Sequence, residues 1–166
     1  MKIEIRTATP GDRIQWGRLR LELWPDCPPD RHRLEMTQLS SRPGIVALAL
    51  VDRELAGSAE VSVRSDHVEG TVSAPVPYLE GWFVRPAYRG HGVGRALLSF
   101  VEQWAVSEGF SELASDAELS NDHSIRLHTM LGFREAGRSV HFVKTLKTDG
   151  AVTSATANRD SVRQEH

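Results

Sequence analysis

Arg89-Gly90-His91-Gly92-Val93-Gly94 stands between a strand-like run, Tyr78 to Val84, and the most regular amphipathic segment of the chain. In that segment Val93, Ala96, Leu97, Phe100, Val101, Trp104 and Ala105 recur at helical spacing, which predicts a helix over Gly92 to Val106. Glycines let a backbone take positive φ and approach a ligand closely. The unpaired N–H groups of a helix start, reinforced by the helix dipole, form an anion site. A phosphate or pyrophosphate therefore belongs here. Two nucleotide loops are excluded by spacing. A dinucleotide fingerprint requires glycine three residues after Gly92, where Arg95 stands, and a triphosphate loop requires a Gly-Lys-Ser/Thr ending that is absent.

Upstream, Lys2 to Arg6 alternates as a strand would, and Thr9-Pro10-Gly11-Asp12 opens a helix running to about Trp24. Pro25, Pro28 and Pro29 end it, and a second helix is predicted over Asp30 to Leu39. Ile45 to Val51 and Glu54 to Arg64 flank Asp52-Arg53 and read as a hairpin. Downstream of the long helix come a strand over Phe110 to Ser115 and a helix over Asn121 to Leu131. Phe133 to Ala136 and Val140 to Leu146 complete the pattern as two final strands. The order is α+β: a mixed central sheet flanked by helices. Residues 1–146 form one domain in this reading. Residues 147–166 lack aromatics and are predicted to be a disordered tail.

The 166 residues are 40% apolar and carry a formal net charge of −2, which gives no basic footprint for nucleic acid. No apolar run approaches the roughly 18 residues of a membrane span, and the charged start MKIEIR is unlike a signal peptide. Cys27 is the single cysteine, so an internal disulfide is excluded, and the seven histidines show no metal-ligand spacing. A soluble, cytoplasmic, metal-free domain is the expectation.

The run Arg89-Gly90-His91-Gly92-Val93-Gly94 matches the [RQ]-x-x-G-x-[GA] motif of the GNAT superfamily of N-acetyltransferases, with Leu131-Gly132-Phe133 as a second point of likeness. The resemblance covers roughly residues 2 to 146. It implies a GNAT fold with a splayed strand pair at the acetyl-CoA site and acetyl-CoA as co-substrate. It also implies cofactor contacts from Phe83, Val84, Arg89, Gly90, His91, Gly92, Val93, Gly94 and Arg95. Asn121 holds the place of a residue near the pantetheine arm, or else caps its helix. His128, seven residues on, stands where many members carry the tyrosine that protonates the leaving thiolate, so that role, or plain packing, falls to it.

Four further stretches are narrower: Leu21-Glu22-Leu23-Trp24-Pro25, Leu79-Glu80-Gly81-Trp82-Phe83-Val84, Leu113-Ala114-Ser115-Asp116 and Ser124-Ile125-Arg126-Leu127-His128. Together they resemble the aminoglycoside 6′-N-acetyltransferases, which implies a polycationic small-molecule acceptor and a homodimer. Such an acceptor needs carboxylates and a flat ring to stack on. Asp26, Asp66, Glu69, Glu80, Asp116 and Glu118 lie in or beside loops and strand ends that could border one cleft, and Trp24 sits where the first helix breaks. Glu80 and Asp116 lie in or at the end of apolar strands, where an unpaired carboxylate is costly, so they are the candidates for facing the acceptor and taking its proton. The rival readings are acetylation of a peptide, lysine or polyamine amine, and a silent acyl-CoA-binding module.

Overall fold

The computed structural model describes residues 1–146; the predicted tail, 147–166, lies outside the described residues. Five strands form one sheet in sequence order: β1 (Ile3–Thr7), β2 (Gly44–Val51), β3 (Glu54–Arg64), β4 (Val76–Val84) and β5 (Ala114–Ser115). The first four pair antiparallel and β5 joins β4 in parallel. The β2–β3 hairpin turns at Asp52 and Arg53, both at positive φ (48° and 75°), as a two-residue turn matched to strand twist requires.

Alternation along the strands sends side chains to two helical layers. Ala47, Ala49 and Val51 of β2, with Ala59 and Val61 of β3, pack on Val93, Leu97, Leu98 and Val101 of α3 (Val93–Ser107). The other face meets α1 (Arg13–Leu23) and α2 (Pro29–Ser41), where Trp16, Leu19 and Met36 enclose Leu48, Leu55 and Phe83. A short helix, α4 (Asp122–Met130), follows β5.

Two expectations are corrected. The strand predicted over Phe110 to Ser115 contracts to Ala114–Ser115, because only Tyr78↔Ala114 and Leu79↔Ser115 pair before β4 and β5 part. Phe133 to Ala136 and Val140 to Leu146 form no strands among the described residues. Val140, Phe142, Val143 and Leu146 are exposed, Phe142 to 92% and Val143 to 99%, so the alternation has no surface here to pack on.

Leu97 is fully enclosed between α3 and the sheet. Leu97→Ala should therefore cost about 2–5 kcal/mol, read as a lower urea midpoint with an unchanged slope.

Candidate active site

The parting of β4 and β5 builds the site. Leu79↔Ser115 is the last pair, and the next residue on each strand is a carboxylate, Glu80 and Asp116. A bulge aims the first of these. Glu60 pairs with Gly81 and Val61 with Leu79, so Glu80 is the extra residue on β4. Glu80 accepts from Ser62 Oγ, and Arg64 grips it bidentately, Nε to Oε1 at 3.0 Å and the terminal nitrogen to Oε2 at 2.6 Å. The same guanidinium lies 3.3 Å above the Tyr78 ring. Burial first, then the neighbouring Asp116 carboxylate, push the Tyr78 hydroxyl up to about 12.

Glu80 lies at one end of a cleft of about 690 Å³ that runs beneath α1 and α2 and is bordered by Trp24, Asp26, Glu35, Glu60 and Arg20. Trp24 forms a wall, packed so closely on β4 that a Cβ at Gly81 would stand 2.7 Å from its ring. The Arg20 guanidinium lies 4.6 Å from the Trp24 ring centroid and bridges Glu35 and Glu60. Glu60 and Arg20 are each only 2% exposed, and Trp16 Nε1 donates to Glu60 at 2.6 Å. Burial raises the Glu60 carboxyl to about 7, against the opposing pull of Arg20 and Trp16.

Cys27, His32 and Glu35 also converge here, each offering an atom within 4.8 Å of the others. Guanidiniums already engage two of the three: Arg20 donates to His32 Nδ1, and Arg20 and Arg31 both hold Glu35.

The glycine loop lies at the far end of β4. Arg89 Nε donates to the Val84 carbonyl at 2.9 Å, folding the loop back on the strand. Gly90 and Gly92 adopt φ of 76° and 84°, and a Cβ on either would meet nothing within 4 Å, so the space above the loop is open. Arg89, His91 and Arg95 are exposed around it. Val93 and Phe83 turn their side chains into the two cores, which leaves only their backbone for a ligand. Gly94 serves packing: a Cβ there would stand 3.2 Å from Trp82, whose Nε1 donates to the Gly94 carbonyl.

The other sequence candidates divide. Trp24, Asp26 and Glu80 border the cleft, and Asp116 stands at the fork. Asp66, Glu69 and Glu118 are exposed and do not border that cleft. Asn121 caps α4, its side chain accepting from Ser124 N at 3.0 Å. His128 is wedged between Trp82 and Phe133. Its Nδ1 lies 2.8 Å from the Ser124 carbonyl, which can only accept, so that nitrogen carries the proton and Nε2 accepts from Ser115 Oγ at 2.9 Å. Sequence reading missed Arg20, Glu60, Ser62, Arg64 and Tyr78. Ser58, Glu60 and Ser62 recur on one face of β3, and that polar stripe was the available signal.

A sheet forked beside a glycine loop at a helix start defines an acyl-CoA-dependent acetyltransferase. The acetyltransferase (GNAT) family pattern matches residues 11–133, and the chain belongs to that family, whose co-substrate is acetyl-CoA. Among its relatives, the aminoglycoside N(6')-acetyltransferase type 1 of Stenotrophomonas maltophilia is 47% identical over 140 residues, 83% of this chain and 90% of that one. The enzyme of the same name from Serratia marcescens is 41% identical over 133 residues, 79% and 91% of the two chains. The structure of AAC(6')-Iy with the bisubstrate analog CoA-S-monomethyl-acetylneamine superposes with a TM-score of 0.81 at 33% identity, covering 88% of this chain and all of that one.

Glu60 binds its proton more tightly folded than unfolded. Its contribution to stability is complete below the unfolded value near 4.5 and is lost as pH rises through about 7. Urea midpoints of the wild type should therefore fall between pH 5 and pH 7.5 relative to those of Glu60→Gln; parallel profiles would contradict the assignment.

Proposed function

We propose that this enzyme transfers the acetyl group of acetyl-CoA to the 6′-amino group of aminoglycosides, by direct attack of the amine on the thioester in a ternary complex. The observation that carries this reading is the pair of carboxylates immediately past the last β4–β5 pair, beside a tryptophan-walled cleft lined by four carboxylates and three arginines. The names of the relatives support the same acceptor.

An aminoglycoside arrives as a polycation, and a protonated amine cannot attack a carbonyl. Asp116 is the proton acceptor in this scheme: it is exposed, whereas Ser62 and Arg64 hold the oxygens of Glu80. Glu80 is the anionic seat for the ammonium, with Asp26 and the face of Trp24 engaging other parts of the acceptor. Once the amine has lost its proton to Asp116, its lone pair attacks the thioester carbonyl. The C–S bond then breaks, and the CoA thiolate leaves and takes up a proton. Most of the acceleration comes from holding amine and thioester together. His128, with both ring nitrogens engaged, fits a positioning role: it holds Ser115, and with it the end of β5, at the fork. The amides at the start of α3 and the open faces of Gly90 and Gly92 receive the pyrophosphate, with Arg89, His91 and Arg95 beside them.

We further propose that the protein is a homodimer, supported by the exposed Val140, Phe142, Val143 and Leu146, whose apolar surface exceeds what a lone chain gains by displaying it. Its place is the cytoplasm, where acetyl-CoA is supplied; no helix among the described residues is long and apolar enough to cross a membrane.

Coenzyme A release with neomycin and paromomycin, which differ in carrying an amine or a hydroxyl at the 6′ position, tests the reading. Turnover of neomycin alone is expected. Turnover of both would move the acetylated amine elsewhere, and turnover of neither would favour a peptide or polyamine acceptor. In Asp116→Asn, neomycin turnover should fall by about 10²–10⁴, with acetyl-CoA affinity unchanged. Gly92→Ala places a methyl where the protein leaves open space. Acetyl-CoA affinity should drop at least about tenfold, while the strain of a non-glycine residue at positive φ costs only about 1–2 kcal/mol of stability.

A further inference from the structure

We propose that Arg64 is a built-in stand-in for the acceptor's ammonium: its guanidinium occupies the cation seat on Glu80 when no acceptor is bound and must swing out when one enters. The inference rests on the reading of Glu80 as the ammonium seat.

Three observations place it there. Both Glu80 oxygens are engaged by one guanidinium, at 3.0 and 2.6 Å, in the bidentate geometry that Arg supplies best. The guanidinium plane rests on Tyr78 at 3.3 Å, so an aromatic platform for a cation is also taken. The Asp116 carboxylate is close enough to stabilise the same charge. The guanidinium also offsets a carboxylate that otherwise has only the Ser62 hydroxyl as a partner.

The seat is built to be vacated. Arg64 is the last residue of β3, its side chain is 42% exposed, and the polar segment 65–75 follows it. Contrast Arg20 in the same cleft, whose side chain is 3% exposed and locked between Glu35 and Glu60. One arginine is fixed structure; the other is a half-exposed ion pair of the kind that yields readily to competition.

A consequence for specificity follows. A monoamine replaces one cation by another and gains little from the exchange. A polyamine acceptor also reaches Asp26 and Trp24, so it gains contacts that Arg64 does not offer. The exchange therefore selects for acceptors with several positive charges.

Calorimetric titration of neomycin into the enzyme–CoA complex tests this with wild type, Arg64→Met and Arg64→Lys. Removing the competitor should tighten neomycin about three- to fivefold in Arg64→Met, the scale of a half-exposed ion pair. Arg64→Lys, which keeps the charge but cannot grip both oxygens, should fall between. The direction of the change separates competition from a bracing role, since loss of a competitor tightens binding and loss of a brace weakens it. Weaker or unchanged neomycin binding in Arg64→Met would overturn the proposal and make Arg64 a brace for Glu80. Failure of the wild type to bind neomycin would overturn the acceptor assignment and this inference together.

Discussion

Everything in the site hangs on the parallel pairing of β4 with β5 ending after two residues. Two hydrogen-bonded strands hold their backbones about 4.8 Å apart, too close for a substrate to enter. Once pairing ends at Leu79↔Ser115, the sheet opens along one seam while remaining continuous through β1 to β4. The residues that follow the last pair are then side by side at the apex of a gap, and both are acids. Ser115 fastens the apex, since its hydroxyl donates to His128 Nε2 on α4. Helix α4 is thus tied to the fork by a hydrogen bond as well as by packing.

The two halves of the site rest on different kinds of order. The glycine loop depends on backbone: positive φ at Gly90 and Gly92, and an arginine turned back onto the strand it follows. The cleft beneath α1 and α2 depends on charge. Its floor holds Glu60 and Arg20 out of water, an arrangement that contributes little net stability but is costly to break from one side. That pair joins α1 to β3 through Trp16 and to α2 through Glu35, so the helices that wall the cleft are placed by ionic contacts as much as by the apolar core.

What the sequence made legible was local. The glycine loop, the stripe of α3, the proline break after Trp24 and the Asp52-Arg53 hairpin each depend on residues within a turn or two of one another, and each stands as read. Glu80 and Asp116 were legible as misplaced acids in apolar strands. Their meeting was not, because it depends on a one-residue bulge and on where a parallel pair stops. The partners of Glu80 escaped for the same reason: Ser62 and Arg64 reach it only through the β3–β4 register. Alternation over Val140 to Leu146 implied a strand, yet alternation describes a face and says nothing of whether a partner is present. Asp66, Glu69 and Glu118 show the converse, since acids in loops outnumber acids in clefts.

Trp24 carries one further consequence. The other three tryptophans are held by partners away from the cleft mouth: Trp16 donates to Glu60, Trp82 donates to the Gly94 carbonyl, and Trp104 packs on Phe110. Trp24 alone forms the cleft wall, half-buried between the Arg20 guanidinium and the bare backbone of Gly81. Its emission is therefore sensitive to what fills the cleft, which gives the protein an intrinsic optical reporter of cleft occupancy that needs neither label nor turnover.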